Sequence, residues 1–244
     1  MMEPMLNPKL PIPLYHQLKE IFDAKIENGE WQPGQLIPTE NELIALYQVS
    51  RTTVREAVTA LVNEGKLEKK QGRGTLVCKP KLVERLGRLT GFTEEMMAKG
   101  FAPSAKVLEI GEVDPPAIVK DRLLGGKEEK VLHIRRIRLA NGEPIAIERT
   151  YWPLEIGRWF LQEDLENIAF YTVLEQKGIQ LRDADEGISS TAASKKDAQL
   201  LNIKERDPLL RMERVTYALN GMPIEYTFTD YRSDRYTYRV HLHR

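Results

Sequence analysis

Apolar residues recur at helical spacing through the first sixty positions of the chain. Leu14, Leu18, Ile21, Phe22 and Ile26 predict an amphipathic helix over 13–28, ended by Gly29 and 33-PG-34. Thr39 and Glu42 have the spacing of a capping box and open a second helix carrying Leu43, Ile44 and Tyr47. Only Gln48 and Val49 separate it from Ser50, whose hydroxyl suits the N-cap of a third helix. That helix buries Val54, Val58 and Leu61 and ends near Gly65, leaving Arg51, Thr52 and Arg55 on its other face. Residues 66–70 and 75–78 then pair as two short strands with 71-QGRG-74 as their turn.

The pattern changes after residue 90. Strand-like runs occupy 131–140, 144–152, 209–219, 223–231 and 236–243, with helical patterns at 90–99, 161–177 and 195–202. The stretches 141-NGEPI-145 and 220-NGMPI-224 each join two runs through Asn-Gly, the strongest short hairpin signal. Two related hairpins with helices against them predict an α+β domain built on an antiparallel sheet. The short, charged, proline-containing stretch 79-KPKLVERLGRL-89 is expected to link the two parts. The organisation read from the pattern is therefore 1–78, a linker over 79–89, and 90–244.

Composition adds exclusions. The chain has 244 residues, 36 basic and 36 acidic, and a single cysteine, Cys78. That cysteine rules out an internal disulfide or a cysteine-based metal cluster. No apolar run is long enough to span a membrane, and the N-terminal residues lack a signal-peptide pattern, so a cytoplasmic location is expected. Charge is uneven. Between 50 and 81 there are eight Lys and Arg against three Glu, a candidate anion-binding face.

Two short helices joined by a tight turn, the second bearing Arg and Thr in its first turns, describe a helix-turn-helix. Arginine can donate two hydrogen bonds to guanine, and threonine reaches a base edge or a phosphate. A hairpin after the recognition helix is a wing. Its glycines allow close backbone approach to the minor groove, and arginine is drawn to the negative potential there. Lysines such as Lys70 suit phosphates. The series 38-PTENEL-43, 49-VSRTTVREAVTALVNEG-65 and 72-GRGT-75 resembles the winged-helix domain of GntR-family bacterial transcription regulators. The resemblance implies that Arg51, Thr52, Thr53 and Arg55 contact the operator and that Gly72 sits at the minor groove. Thr39, Asn41, Ser50, Lys70, Gln71, Arg73 and Gly74 complete the candidate DNA-binding set. Asn41 stands where many members carry arginine, which implies a different operator sequence.

In the second part, Arg136 and Arg138 flank Ile137 and so point to one strand face, where they could clamp a phosphate or carboxylate. A two-residue Asn-Gly loop would set Glu148 opposite Arg135, and a three-residue loop opposite Arg136. The series 89-LTGFTEEM-96, 134-IRRIRLANGEPIAIERTYWP-153, 186-EGISSTAA-193 and 220-NGMPIEYTFTDYRSDRYTYRV-240 resembles the UTRA effector domain of the HutC subgroup. The resemblance implies a chorismate-lyase-like fold and an effector site made of Phe92, Thr93, Arg136, Arg138, Glu148, Glu186, Glu225 and Tyr231. Gly91 and Ala169 stand where phosphosugar-sensing members often carry a hydroxyl. The expected partners are double-stranded operator DNA, a small anionic effector that includes phosphorylated sugars and amino sugars among its candidates, and a second copy of the chain.

Two rival classes account for less of the sequence. Arg136, Arg138 and Glu148 could bind and protonate a carboxylated substrate, as in a chorismate-lyase-like enzyme, but the helix-turn-helix and wing would then have no purpose. An architectural DNA binder would leave the polar-faced second domain without one. His241 and His243 share a predicted strand face without a third ligand, so no metal site is expected, and no cofactor. His16 and His133 read as packing residues. The expectation is a non-enzymatic repressor.

Overall fold

A computed structural model describes residues 6–8, 10–78, 81–85 and 87–241. The chain divides into two compact units, 1–80 and 81–244.

The first unit holds α1 (Leu14–Glu27), α2 (Glu40–Tyr47), α3 (Arg51–Asn63) and the strands β1 (Leu67–Lys70) and β2 (Gly74–Val77). Leu18 and Phe22 of α1 meet Leu43 of α2 and Val54, Ala57 and Leu61 of α3, all of them fully buried. Both short helices begin at side-chain caps. Thr39 and Glu42 form the reciprocal capping box, and Ser50 Oγ accepts from the Thr53 amide at 3.1 Å. These caps satisfy helix-end amides that would otherwise lack partners. Gln48 ends α2 in a left-handed conformation (φ 52°) and turns the chain into α3.

The wing pairs Leu67 with Val77 and Lys70 with Gly74. The chain before α2 flanks it as a third edge: Ile37 N–H donates to Thr75 O and Val77 N–H to Gln35 O, both at 2.9 Å. Trp31, Ile37, Leu67 and Val77 then anchor the wing in the helical core. Gly72 (φ 72°) and Gly74 (φ 108°) lie in the left-handed region, so the turn itself requires glycine there.

The second unit follows the order β3 (Leu82–Arg85), α4 (Phe92–Ala98), β4 (Pro103–Val113), α5 (Ala117–Leu124), β5 (Val131–Ala140), β6 (Glu143–Pro153), α6 (Leu154–Phe160), α7 (Phe170–Gln176), β7 (Leu181–Ala192), α8 (Lys195–Leu201), β8 (Pro208–Ala218), β9 (Pro223–Arg232) and β10 (Tyr236–Arg239). Six strands form one antiparallel sheet in the order β4-β5-β6-β9-β8-β7. Trp152 packs edge to face on Phe160 and Phe170, whose own rings are tilted against each other; with ring centroids 4.5 to 5.1 Å apart, the three fasten α6 and α7 to the sheet. The helical pattern expected over 161–177 is realised only from Phe170.

The hairpin register is settled by a bulge. Asn141 and Gly142 form a two-residue turn with positive φ (51° and 75°), so Ala140 faces Glu143. A shift between Arg138 and Leu139 then slides the register by one, setting Glu148 opposite Arg136. The sister stretch closes differently. Ala218 N–H donates to Met222 O around Leu219, Asn220 and Gly221, and of these only Gly221 has positive φ (84°).

The stretch 79–89 is not the unpacked linker its composition implies. Residues 82–85 form β3, which pairs in parallel with β10, and Leu82 is 2% exposed among Met96, Tyr231 and Tyr236. Strand pairing and the inward-facing Leu82 tie this charged stretch to the second unit. Residues 79, 80 and 86 lie outside the described residues.

Candidate functional site

The DNA-facing candidates sort into two roles. Arg51, Thr52 and Arg55 are exposed on the first turns of α3. Arg51 Nη2 donates to Asn41 Oδ1 at 2.8 Å, which leaves the rest of its fork free, and Arg55 Nε lies 4.0 Å from Glu40. Asn41 is thus a neighbour that aims Arg51. Thr39, Ser50 and Thr53 are engaged in capping: the Ser50 and Thr53 hydroxyls also lie 2.8 Å apart. Gln71, Gly72, Arg73 and Gly74 form the exposed tip of the wing, and Lys70 at its base pairs with Glu68. A Cβ at Gly72 would meet nothing within the unit, whereas one at Gly74 would press on Leu36 at 3.2 Å. The exposed arginines and the wing tip thus hold their hydrogen-bond donors at the surface, in contact with solvent.

The second site lies entirely within the second unit. It is a cavity of about 220 Å³ between the sheet and the chain entering α4 and α7. On β9 the residues Glu225, Thr227, Thr229 and Tyr231 alternate toward it, and Arg136, Arg138, Glu148 and Arg214 come from β5, β6 and β8. Phe92 and Thr93 close it from α4, and Phe170 and Tyr171 from α7.

The three arginines differ in what neutralises them. Arg136, 1% exposed, donates from Nε and Nη2 to Glu148 Oε2 at 3.0 and 2.6 Å, and from Nη1 to Leu165 O. Its guanidinium also stacks on Phe170 at 4.1 Å. Arg214 forks onto Glu186 at 2.7 and 2.6 Å and donates to Thr90 O. Arg138 has much less. It is 2% exposed, lies 4.5 Å over the Phe92 ring, and donates to Thr93 Oγ1 at 2.9 Å. Its Nε–H has no partner, and its nearest carboxylate, Glu148, is 4.0 Å away. Burial pushes its guanidinium down to about 10, with Glu148 opposing and Arg136 adding to the shift.

The carboxylates divide similarly. Burial works against the charge of Glu148, but Arg136 and Arg138 outweigh it and hold that carboxyl below its ordinary value. For Glu225 burial wins and pushes the carboxyl up. Its oxygens accept from Tyr171 Oη at 2.9 Å and from the Thr216 and Thr227 hydroxyls, both at 3.2 Å. Tyr171, itself pushed up by burial and by Glu225, stays a neutral donor.

Seven of the eight residues expected at this site line the cavity; Glu186 does not, and sits behind Arg214. Sequence reasoning missed Arg214 and Tyr171. Arg214 was recoverable in part, because it shares a strand face with Met212 and Thr216, but its cross-strand partner Glu186 lies on β7, a strand the pattern did not reveal. His133 stacks on Tyr151 at 4.7 Å, as a packing residue should. The strand expected to carry His241 and His243 ends at Arg239, and His243 lies outside the described residues. Among the described residues no group of three or more His, Cys, Asp or Glu is placed to hold a metal, and no helix is long and apolar enough to cross a membrane.

Comparison with known proteins places both sites in context. A family model for bacterial regulatory proteins of the gntR family matches residues 14–77, and a UTRA domain model matches 98–237. The HTH-type transcriptional repressor NagR of Bacillus subtilis (strain 168) is 34% identical over 98% of this chain and 98% of its own. The mannosyl-D-glycerate transport/metabolism system repressor MngR of Escherichia coli (strain K12) is 28% identical, over 93% of this chain and 95% of its own. The crystal structure of PhnF from Mycobacterium smegmatis superposes with a TM-score of 0.67 at 25% identity, covering 94% of this chain and 98% of that one.

Proposed function

The chain belongs to the GntR family of bacterial regulatory proteins, in the branch with a UTRA domain, and on that premise we propose a repressor released by a small anionic effector. That it is a DNA-binding transcription regulator follows from the family and from its relatives. The protein acts in the cytoplasm as a homodimer, because one winged helix offers few base contacts and two half-sites read by a two-fold dimer supply the rest.

The observation that carries the effector reading is Arg138. A buried guanidinium with one hydroxyl partner, an unpaired Nε–H and no carboxylate closer than 4.0 Å is under-compensated, and it faces a cavity. An anionic group there would gain charge-assisted hydrogen bonds and relieve the cost of burial. Arg136 is already satisfied by Glu148, so it acts as the wall that holds Glu148 in place.

The same contacts offer a route toward the DNA-binding unit. Thr93 and Phe92, which touch Arg138, begin α4. Glu95 of α4 accepts from Tyr236 Oη at 2.9 Å, Tyr236 stacks on Tyr231 at 3.9 Å, and β10 pairs with β3. Strand β3 begins two residues after the first unit ends in sequence. A ligand that bridges Arg138 and Thr93 therefore bears on α4 and, through Tyr236, on the strand that follows the winged helix in sequence. The test is calorimetry and thermal shift of the full chain with sugar phosphates, amino-sugar phosphates and small carboxylates, followed by operator titration with each binder. A ligand that binds, lowers operator affinity and loses its effect in Arg138→Ala supports the reading; binders that leave operator affinity unchanged overturn it.

A further inference from the structure

The chain enters the second unit at Lys81 and is held there from its first residues. Leu82 N–H donates to Arg235 O at 2.7 Å, and Lys81 Nζ to Ser233 O at 2.8 Å. Both acceptors belong to the tight turn between β9 and β10, which Arg235 N–H closes on Arg232 O at 3.0 Å. Before the boundary, Cys78 N–H donates to Lys66 O within the first unit. Three peptide steps separate Cys78 from Lys81, a reach of at most about 11 Å. Were residues 81–85 released, the next backbone group bonded to the sheet, among the described residues, would be Thr90 O, which accepts from Arg214 at 2.9 Å. The tether would then reach about 40 Å.

That turn keeps its place through a carboxylate. Arg232 and Arg235, 9% and 7% exposed, converge on Glu143: Arg232 Nη1 donates to Oε1 at 3.4 Å and Arg235 Nη2 to Oε2 at 3.1 Å. Arg232 also forks onto Asp234 and donates to Pro144 O and Leu201 O. Glu143 opens β6, directly after the turn at Asn141 and Gly142. It therefore pins the turn that grips Lys81 and Leu82 to the tip of the β5–β6 hairpin. Glu143, Arg232, Asp234 and Arg235 all lie outside the lining of the effector cavity. Removing the charge of Glu143 would leave two buried guanidiniums facing each other, and like charges repel strongly where water is scarce.

Resting on the two-fold dimer reading above, we infer that Glu143 is a positioning residue for operator recognition. It touches no DNA. It holds the turn that keeps the tether to each winged helix short, and so fixes the separation of the half-sites that two copies read together. A longer tether would tolerate other separations.

Anisotropy titrations at matched salt test this. The probes are an operator selected by the full chain from random duplexes, copies of it widened by a few base pairs between the half-sites, and a duplex with one half-site. The parent is expected to lose at least about tenfold on the widened copies, as a short tether cannot span them. In Glu143→Gln that loss should shrink below about threefold, with affinity for the single half-site within about twofold of the parent. Amide exchange at Leu82 should quicken at least about tenfold in the same variant. Should Glu143→Gln melt well below the parent, Lys81→Ala decides, because Lys81 is exposed and its loss strands no buried charge; it should relax the spacing in the same direction. Strict spacing that the deciding variant leaves unchanged overturns the role of Glu143 and leaves the dimer reading standing. A parent indifferent to spacing overturns both.

Discussion

Arginine is used in opposite ways by the two units. In the winged helix Arg51 and Arg55 stand exposed, tethered by a single bond to Asn41 and a 4.0 Å approach to Glu40. In the effector domain Arg136 and Arg138 are almost wholly buried, and their partners decide which of them is available. The difference fits the ligand proposed for each. DNA is a large polyanion whose phosphates and base edges come to the surface, so mobile, solvated guanidiniums suffice and affinity falls with salt. A small metabolite offers few contacts, and one charge gains most when the protein has already borne its desolvation. Exposed arginines suit a polymer, and a buried, under-compensated one suits a single small group.

If that contrast is right, the largest effect belongs to the buried pair. Glu148→Ala should destabilise the effector domain by about 3–5 kcal/mol, because it strands Arg136 in the interior. Chemical denaturation checks this, and a loss below about 1 kcal/mol would mean that Arg136 finds water or another acceptor. Acid should act the same way. The Glu148 carboxyl is held below its ordinary value, so its contribution is complete above the unfolded pKa of about 4.3 and is lost as pH falls through the folded one.

An intermediate effect is expected from the exposed arginines. Arg51→Ala or Arg55→Ala should cost about 1–3 kcal/mol of operator binding, with little change in affinity for unrelated DNA. Fluorescence anisotropy with both DNAs at matched salt separates the two. Equal losses on both would make these side chains phosphate contacts.

The smallest effect sharpens the same contrast. Lys70→Ala should weaken all DNA alike and reduce the salt slope by about one, since a wing lysine is expected to meet phosphate. A sequence-dependent loss would move Lys70 from backbone contact to base readout.

The two units were also unequally legible. The winged helix could be read almost residue by residue, because caps, helix periodicity and the glycine turn are local devices. Thr39, Glu42, Ser50 and Gly72 each do their work within a few positions of themselves. The effector domain could not, because its decisive features are long-range. Of the edge strands, β7 is exposed over much of its length and β4 is mostly half-buried, and neither shows a clean alternation; in β7 the acidic Asp183, Asp185 and Glu186 disguise a strand. Arg214 matters through Glu186 across that hidden pairing. The Glu148 register depends on the bulge beyond Arg138, and no local signal announces it. Leu82 shows the same limit, since its charged surroundings hide a side chain that belongs to the core.

On the proposed reading the two units are coupled, and Arg138 is where that coupling should fail. The direct measurement is operator affinity of the parent chain and of Arg138→Ala, each with and without a binding ligand from the panel. Coupling of about 1–3 kcal/mol, or about 5- to 150-fold, is expected in the parent, with operator DNA changing ligand affinity by the same factor. In Arg138→Ala the ligand response should vanish while ligand-free operator affinity stays within about twofold. A variant that still responds to ligand like the parent would contradict the account and leave Arg138 a buried structural residue.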